Sequence, residues 1–195
     1  MVNTVKNVAA LDKTQYQTNN FRTLSTNSWN DGDISSKDKH LIAVAIAQAT
    51  NCKHCLLHHA KAAQDDGASF DEIAEISYLT GVINIAGEQL LQLTSELQLN
   101  YNINGRLKAY TSIKTRDFIN QQLESKFVDK EIKILALIGI AKFRHNTSLV
   151  EHFLTIANAH QINEAKLTEA LQVVDILSTG VIYSNNQDIY KFLNN

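Results

Sequence analysis

Residues 36–49, SKDKHLIAVAIAQA, pass from a polar lead-in to an almost unbroken apolar run. Their length and their alanine and leucine content predict a buried helix. Further helical patterns cover about 52–65, 70–97, 104–125, 129–143, 147–160, 163–180 and 186–193. Asn51, Ser69, Asp129 and Asn163 stand where N-caps are expected, because their side-chain oxygens can accept the unpaired N–H groups of a first turn. Proline is absent from the 195 residues and glycine occurs seven times. Hairpins lean on glycine for turns of positive φ and helices tolerate proline poorly, so both counts speak against a turn-rich β-fold. The pattern predicts an all-α protein.

The pattern also repeats. Sliding the chain by about 93 places sets LIAVAIAQ (41–48) on ILALIGIA (134–141), Asp38 on Glu131, Leu56 on Leu149 and Gly87 on Gly180. With one extra residue, FDEIAEI (70–76) falls on EAKLTEA (164–170). Helices rich in Ala, Ile and Leu match easily, so chance similarity is the competing explanation. The junction argues against it: Cys52 meets His145, Cys55 meets Ser148 and His59 meets His152, a polar, histidine-bearing stretch that generic helices do not require. The expected organisation is two related helical units from an internal duplication packed as one body. Residues 1–100 carry the cysteines, and residues 101–195 form a degenerate unit without them.

Composition narrows the function classes. The hydrophobic fraction of 44% is that of a folded chain, and the net charge of −2, with acids and bases interspersed, offers no concentrated basic surface for nucleic acid or an anionic membrane. No stretch approaches the roughly 18 consecutive apolar residues of a membrane span. The start, MVNTVKNVAALDKT, lacks the apolar stretch of a signal peptide. A soluble cytoplasmic protein is expected.

The two cysteines of the chain form C-K-H-C at 52–55. Two cysteines placed at random fall three apart only about once in a hundred chains, so the spacing carries information. Three readings stand side by side. Both residues can be small buried hydrophobes. Cys52, Cys55 and His59 can supply three metal ligands, although a structural zinc site draws on two separated segments and no second cysteine pair exists. The third reading is redox chemistry. With Asn51 as cap, Cys52 opens a helix whose free N–H groups and dipole stabilise a thiolate, and a thiolate is what attacks a peroxide or a disulfide. A separation of three on a helix suits a disulfide. His59 lies four residues after Cys55 on the same stripe, and an imidazole can take a thiol proton at neutral pH. His54 sits between the cysteines. His58 points about 100° away from His59 and reads as an ordinary surface or core histidine.

The run LIAVAIAQATNCKHCLLHHA, followed by an acidic DEIAE helix, resembles the carboxymuconolactone decarboxylase superfamily, and within it the alkylhydroperoxidase D-like branch. The resemblance covers about residues 20–90 and, through the repeat, more weakly 115–185. It implies an all-helical protein that assembles as a trimer or hexamer and reduces organic peroxides. No cofactor is bound, and an external dithiol, lipoyl-bearing in some members, returns the electrons. Carried over by position, Cys55 is the attacking cysteine, Cys52 its resolving partner nearer the surface, His59 the relay histidine, and His54 a histidine found between the cysteines in some members. The helix dipole alone would favour Cys52 as the more acidic thiol; the neighbouring His59 favours Cys55.

One position departs from the branch. Twelve residues before the first cysteine, where a relay glutamate is expected, the chain has His40. A histidine can accept a proton but cannot supply the anion that keeps a neighbouring imidazole charged. His40, with Asp38 nearby, is expected to take the relay role in altered form. The expected activity is a thiol-dependent peroxidase or disulfide reductase. The alternatives are a redox-sensing or binding protein and a lactone-processing enzyme to which the cysteines are incidental.

Overall fold

The computed structural model describes residues 15–99 and 113–193. Among these the chain forms eight α-helices, α1 Tyr16–Ser25, α2 Ser36–Thr50, α3 Lys53–Asp65, α4 Phe70–Ala86, α5 Ile113–Glu124, α6 Lys130–Phe143, α7 Thr147–Ala159 and α8 Glu164–Leu193, with a 3-10 turn at Gly87–Gln92. The described residues contain no strand, only an isolated bridge between Leu93 and Leu99. The all-α expectation holds. No described helix is long and apolar enough to cross a membrane.

The two most apolar helices lie at the centre. α2 packs on α3, α4, α6 and α8, and α6 on α2, α4, α7 and α8. Residues 39–47 of α2 and 132–141 of α6 are buried without a break. Continuous burial of that kind needs neighbours on every side, which is why neither helix shows a polar face. Ser35 starts α2 by accepting from the Asp38 N–H at 3.1 Å. Ser69 and Glu72 close a reciprocal capping box at the start of α4. Asn163 accepts from the Lys166 N–H at 2.8 Å and so caps α8. Asp129 precedes α6 without a side-chain cap bond.

Several boundaries differ from the sequence expectation. Asn51 does not cap α3. It ends α2 in the left-handed region at φ 57°, which asparagine tolerates, and Cys52 takes the N-cap. The helix expected over 70–97 stops at Ala86, because Gly87 turns the chain at φ 52°. The segments expected at 163–180 and 186–193 are one helix, α8; Gly180 sits in mid-helix and nothing after it breaks the ladder. Of the helix expected over 104–125, residues 113–124 are helical and 104–112 lie outside the described residues. α1 was not anticipated: it is short, polar and has no fully buried residue, so its periodicity is weak.

Contacts recur along the chain at a spacing of 94. Lys39 of α2 pairs with Glu169 of α8 at 3.0 Å, and Glu169 accepts from the Asp33 and Ile34 N–H groups at 3.1 and 2.9 Å. Ninety-four residues from Lys39 and from Glu169, Lys133 of α6 pairs with Glu75 of α4 at 2.9 Å, and Glu75 accepts from the Phe127 and Val128 N–H groups at 2.8 and 3.4 Å. The Lys37–Glu72 ion pair recurs with its charges exchanged as Glu131–Lys166. At this spacing the counterpart of the left-handed Asn51 is the left-handed His145, φ 54°. Asn146 then stands opposite Cys52, each being an N-cap that accepts from the N–H three residues on. The register of 93 is therefore one residue short at the junction. Cys52, Cys55 and His59 face Asn146, Leu149 and Phe153, not His145, Ser148 and His152. The unit boundary expected between residues 100 and 101 lies outside the described residues.

Candidate active site

The left-handed turn at Asn51 reverses the chain between α2 and α3 and brings the first turn of α3 against the buried start of α2. Cys52 and Cys55 are joined as a disulfide across that turn, with Cα atoms 5.3 Å apart. The Cys52 sulfur also accepts from the Cys55 N–H at 3.2 Å, so it occupies the place of a capping oxygen. Both cysteines are nearly closed to solvent, 9% and 5% exposed, and Cys52 is not markedly nearer the surface as the resemblance implied.

They differ in what they face. Cys55 opens on a cleft of about 380 Å³, and Cys52 does not line it. One wall is α3 itself, through His54, Cys55, His58 and His59. Trp29 and, from α1, Phe21 and Ser25 form a second. The far wall belongs to α8: Ile176, Leu177, Gly180, Tyr183 and Gln187. The cleft therefore needs helices from both ends of the chain. Trp29, Phe21 and the α8 residues were not singled out from sequence, because nothing local marks a residue that meets the cysteines only through tertiary packing. His58, read as ordinary, lines the cleft beside His59. Judged only by its 100° turn from His59 it falls off the stripe, yet it lies three residues after Cys55 and four after His54, on their face of the helix.

His40, His59 and Trp29 form a cluster of rings at the cleft that Cys55 lines, through Trp29 and His59. His40 Nδ1 and His59 Nδ1 are 3.0 Å apart. The Trp29 ring lies parallel to His40, centroids 4.7 Å apart at 5°, and 4.6 Å from His59. Both histidines are buried, at 7% and 6% exposure. Burial drives the His59 pKa down to about 3, helped by the neighbouring His58, His40 and His54. Burial also lowers His40, against the opposing pull of Asp66. His58 is lowered by burial and by His54, whose ring stacks on it at 6.3 Å. All three are neutral bases at pH 7. Asp38 is occupied at the start of α2, accepting from the Ser35 hydroxyl at 2.6 Å. Among the described residues no group of three or more His, Cys, Asp or Glu is arranged to hold a metal ion.

This arrangement joins a two-electron disulfide, a neutral imidazole pair and an uncharged cleft. Of the positions read from sequence, Cys52, Cys55, His59, His40 and His54 are brought into one neighbourhood. Cys55, His54 and His59 face the cleft, and His40 stands behind His59. A curated protein from Paracoccus denitrificans, uncharacterized protein 4 in the cox locus, is 40% identical over 55 residues, covering 28% of this chain and 50% of that protein. The match thus spans about half the length of that relative. No solved structure matches the chain. Residues 15–86, which run from the start of α1 to the end of α4 and hold every histidine and cysteine of the cluster, match the carboxymuconolactone decarboxylase family.

Proposed function

We propose that the protein is a thiol-dependent reductase of peroxides or disulfides, in the manner of the alkylhydroperoxidase D-like branch. The observation that carries this reading is that one sulfur of the Cys52–Cys55 disulfide, and only one, faces a substrate-sized cleft beside a neutral base. In the reduced protein the Cys55 proton passes to His59 as the thiolate forms, the new anion stabilising an imidazolium that burial otherwise disfavours. The thiolate attacks the outer oxygen of a hydroperoxide. The O–O bond breaks, Cys55 becomes a sulfenic acid and the alcohol leaves with the proton. Cys52 then displaces water from the sulfenic acid and the disulfide forms. An external dithiol, lipoyl-type in this reading, reduces the disulfide and is itself oxidised to a cyclic disulfide. Assembly as a trimer or hexamer belongs to the same reading.

The places of the two thiols support this division of roles. Cys55 is the attacking group because it faces the cleft. Cys52 resolves because it is set at the helix N-terminus, where N–H groups stabilise the thiolate it must present. The test is peroxide consumption with dihydrolipoamide by the wild type and by Cys52→Ser and Cys55→Ser. Both variants should lose turnover, and a sulfenic acid should be trapped on Cys55 in Cys52→Ser. Consumption undiminished in Cys55→Ser, or none in the wild type with any dithiol, would reject the reading.

A further inference from the structure

Beyond the cleft at Cys55 lies a second, smaller hollow of about 100 Å³ between α1 and the C-terminal half of α8. Phe21 and Tyr183 line both. Their rings are stacked, centroids 5.0 Å apart at 26°, so the pair stands as a wall between the two spaces. Gly180 lines the cleft beside that wall: a Cβ at this position would make an ordinary contact with Phe21 Cζ at 3.6 Å, so a longer side chain there would take up space next to the ring. We propose that the Phe21–Tyr183 pair is a partition that limits how far a neutral, apolar substrate chain can extend from Cys55, and so selects substrates by length. The proposal rests on the thiol-reductase reading for what reacts at Cys55, but not for what binds.

The chemistry of the walls identifies the occupant. Neither hollow is lined by Asp, Glu, Lys or Arg. A carboxylate or phosphate entering would lose its hydration without gaining a counter-ion, a strongly unfavourable exchange. An alkyl chain loses nothing of the kind and gains contact with Ile176, Leu177 and the aromatic rings. A cleft of about 380 Å³ is at the small end of ligand sites, so a short chain fills it and a longer one must displace the partition.

Binding of 1-alkanols of increasing length, followed by the fluorescence of Trp29, the single tryptophan, tests this without any turnover. Affinity in the wild type should rise about fourfold for each methylene added, the ratio that burying one CH₂ gives, and then stop rising at a definite length. In Phe21→Ala the break should move to longer chains and in Gly180→Leu to shorter ones; Phe21→Leu, which keeps an apolar contact but loses the ring, guards against a folding failure. A break at the wild-type length in Phe21→Ala and Phe21→Leu, or no alkanol binding at all, overturns the partition. The matching alkyl hydroperoxides should oxidise the reduced protein with the same length limit. If the alkanols show the break while no hydroperoxide reacts, the partition stands and the thiol-reductase reading falls.

Discussion

His40 and His59 meet through the same ring atom, Nδ1 to Nδ1 at 3.0 Å. Two such nitrogens can share only one proton, so one ring must donate and the other accept. The pair can take up one further proton on a distal nitrogen and keep this bond. It cannot hold a proton on both facing nitrogens. A carboxylate in place of His40 would draw an imidazolium towards it, whereas a neutral imidazole does not, and burial is left to dominate.

The first prediction is a pH dependence of stability. His59 has an ordinary pKa of 6.5 when unfolded and about 3 when folded, so the unfolded chain binds more protons between these values. Stability is fully present above pH 6.5 and is lost as pH falls towards 3. The half-buried carboxylates Glu72 and Glu169, also lowered, against burial, by their ion pairs and hydrogen bonds, stabilise at neutral pH and begin to lose that contribution only as pH falls below their ordinary value near 4.5. Urea denaturation between pH 7 and 5 should therefore show a falling midpoint in the wild type. His59→Phe, which places there the residue found at Phe153, should make the fall shallower, leaving what His40 and His58, also lowered by burial, contribute in the same range. An equal slope in both proteins would mean that His59 is not held neutral.

A second prediction concerns the relay. His40→Glu introduces an anion against His59 and should raise the His59 pKa, read as a shift of the Trp29 fluorescence titration towards neutral pH. Peroxide-dependent oxidation of the thiols should depend on the same group. Loss of a general base costs about 10²–10⁴-fold, so His59→Phe should slow oxidation by that order. An unchanged titration in His40→Glu would show that position 40 does not set the charge of His59.

The cap at Cys52 gives a third. In the reduced protein its sulfur must serve the first turn of α3 as a capping acceptor. Serine does this well and alanine not at all, so Cys52→Ala should lie about 1 kcal/mol below Cys52→Ser in stability. Thermal or chemical denaturation of the two variants, both unable to form the disulfide, measures the difference directly. Equal stabilities would show that the cap is dispensable.

Much of the helical order was legible in the sequence because α2, α3, α6 and α7 are fixed by local pattern: apolar runs and short polar junctions. The cysteine pair and its histidines were legible for the same reason, being neighbours in sequence or one helix apart. What was hidden depends on the turn between elements. A single residue of left-handed backbone at Asn51 and at His145 moved the cap to Cys52 and the repeat from 93 to 94. The cleft was hidden too, since Trp29, Phe21 and the α8 residues reach Cys55 only after the chain has closed on itself. α1, with no buried stripe, gives little periodic signal and becomes meaningful only through Phe21 against Tyr183.

The last prediction ranks three ion pairs by burial. Lys133 and Glu75 are each 2% exposed at the side chain, and Lys133 also donates to the Leu123 and Ser125 carbonyls. Removing the cation leaves a buried carboxylate short of a partner, which costs about 3–5 kcal/mol. Lys133→Met should be that destabilising. Its counterpart Lys39 is equally enclosed, at 5%, but its partner Glu169 is 23% exposed, so water can take over part of the lost contact. Lys39→Met should cost distinctly less than Lys133→Met. Lys142 and Asp175 are 37% and 59% exposed, and Lys142→Ala should stay within about 1 kcal/mol of the wild type. Chemical denaturation of the three variants checks the order. If Lys142→Ala cost as much as Lys133→Met, burial would not be what gives the α4–α6 contact its strength.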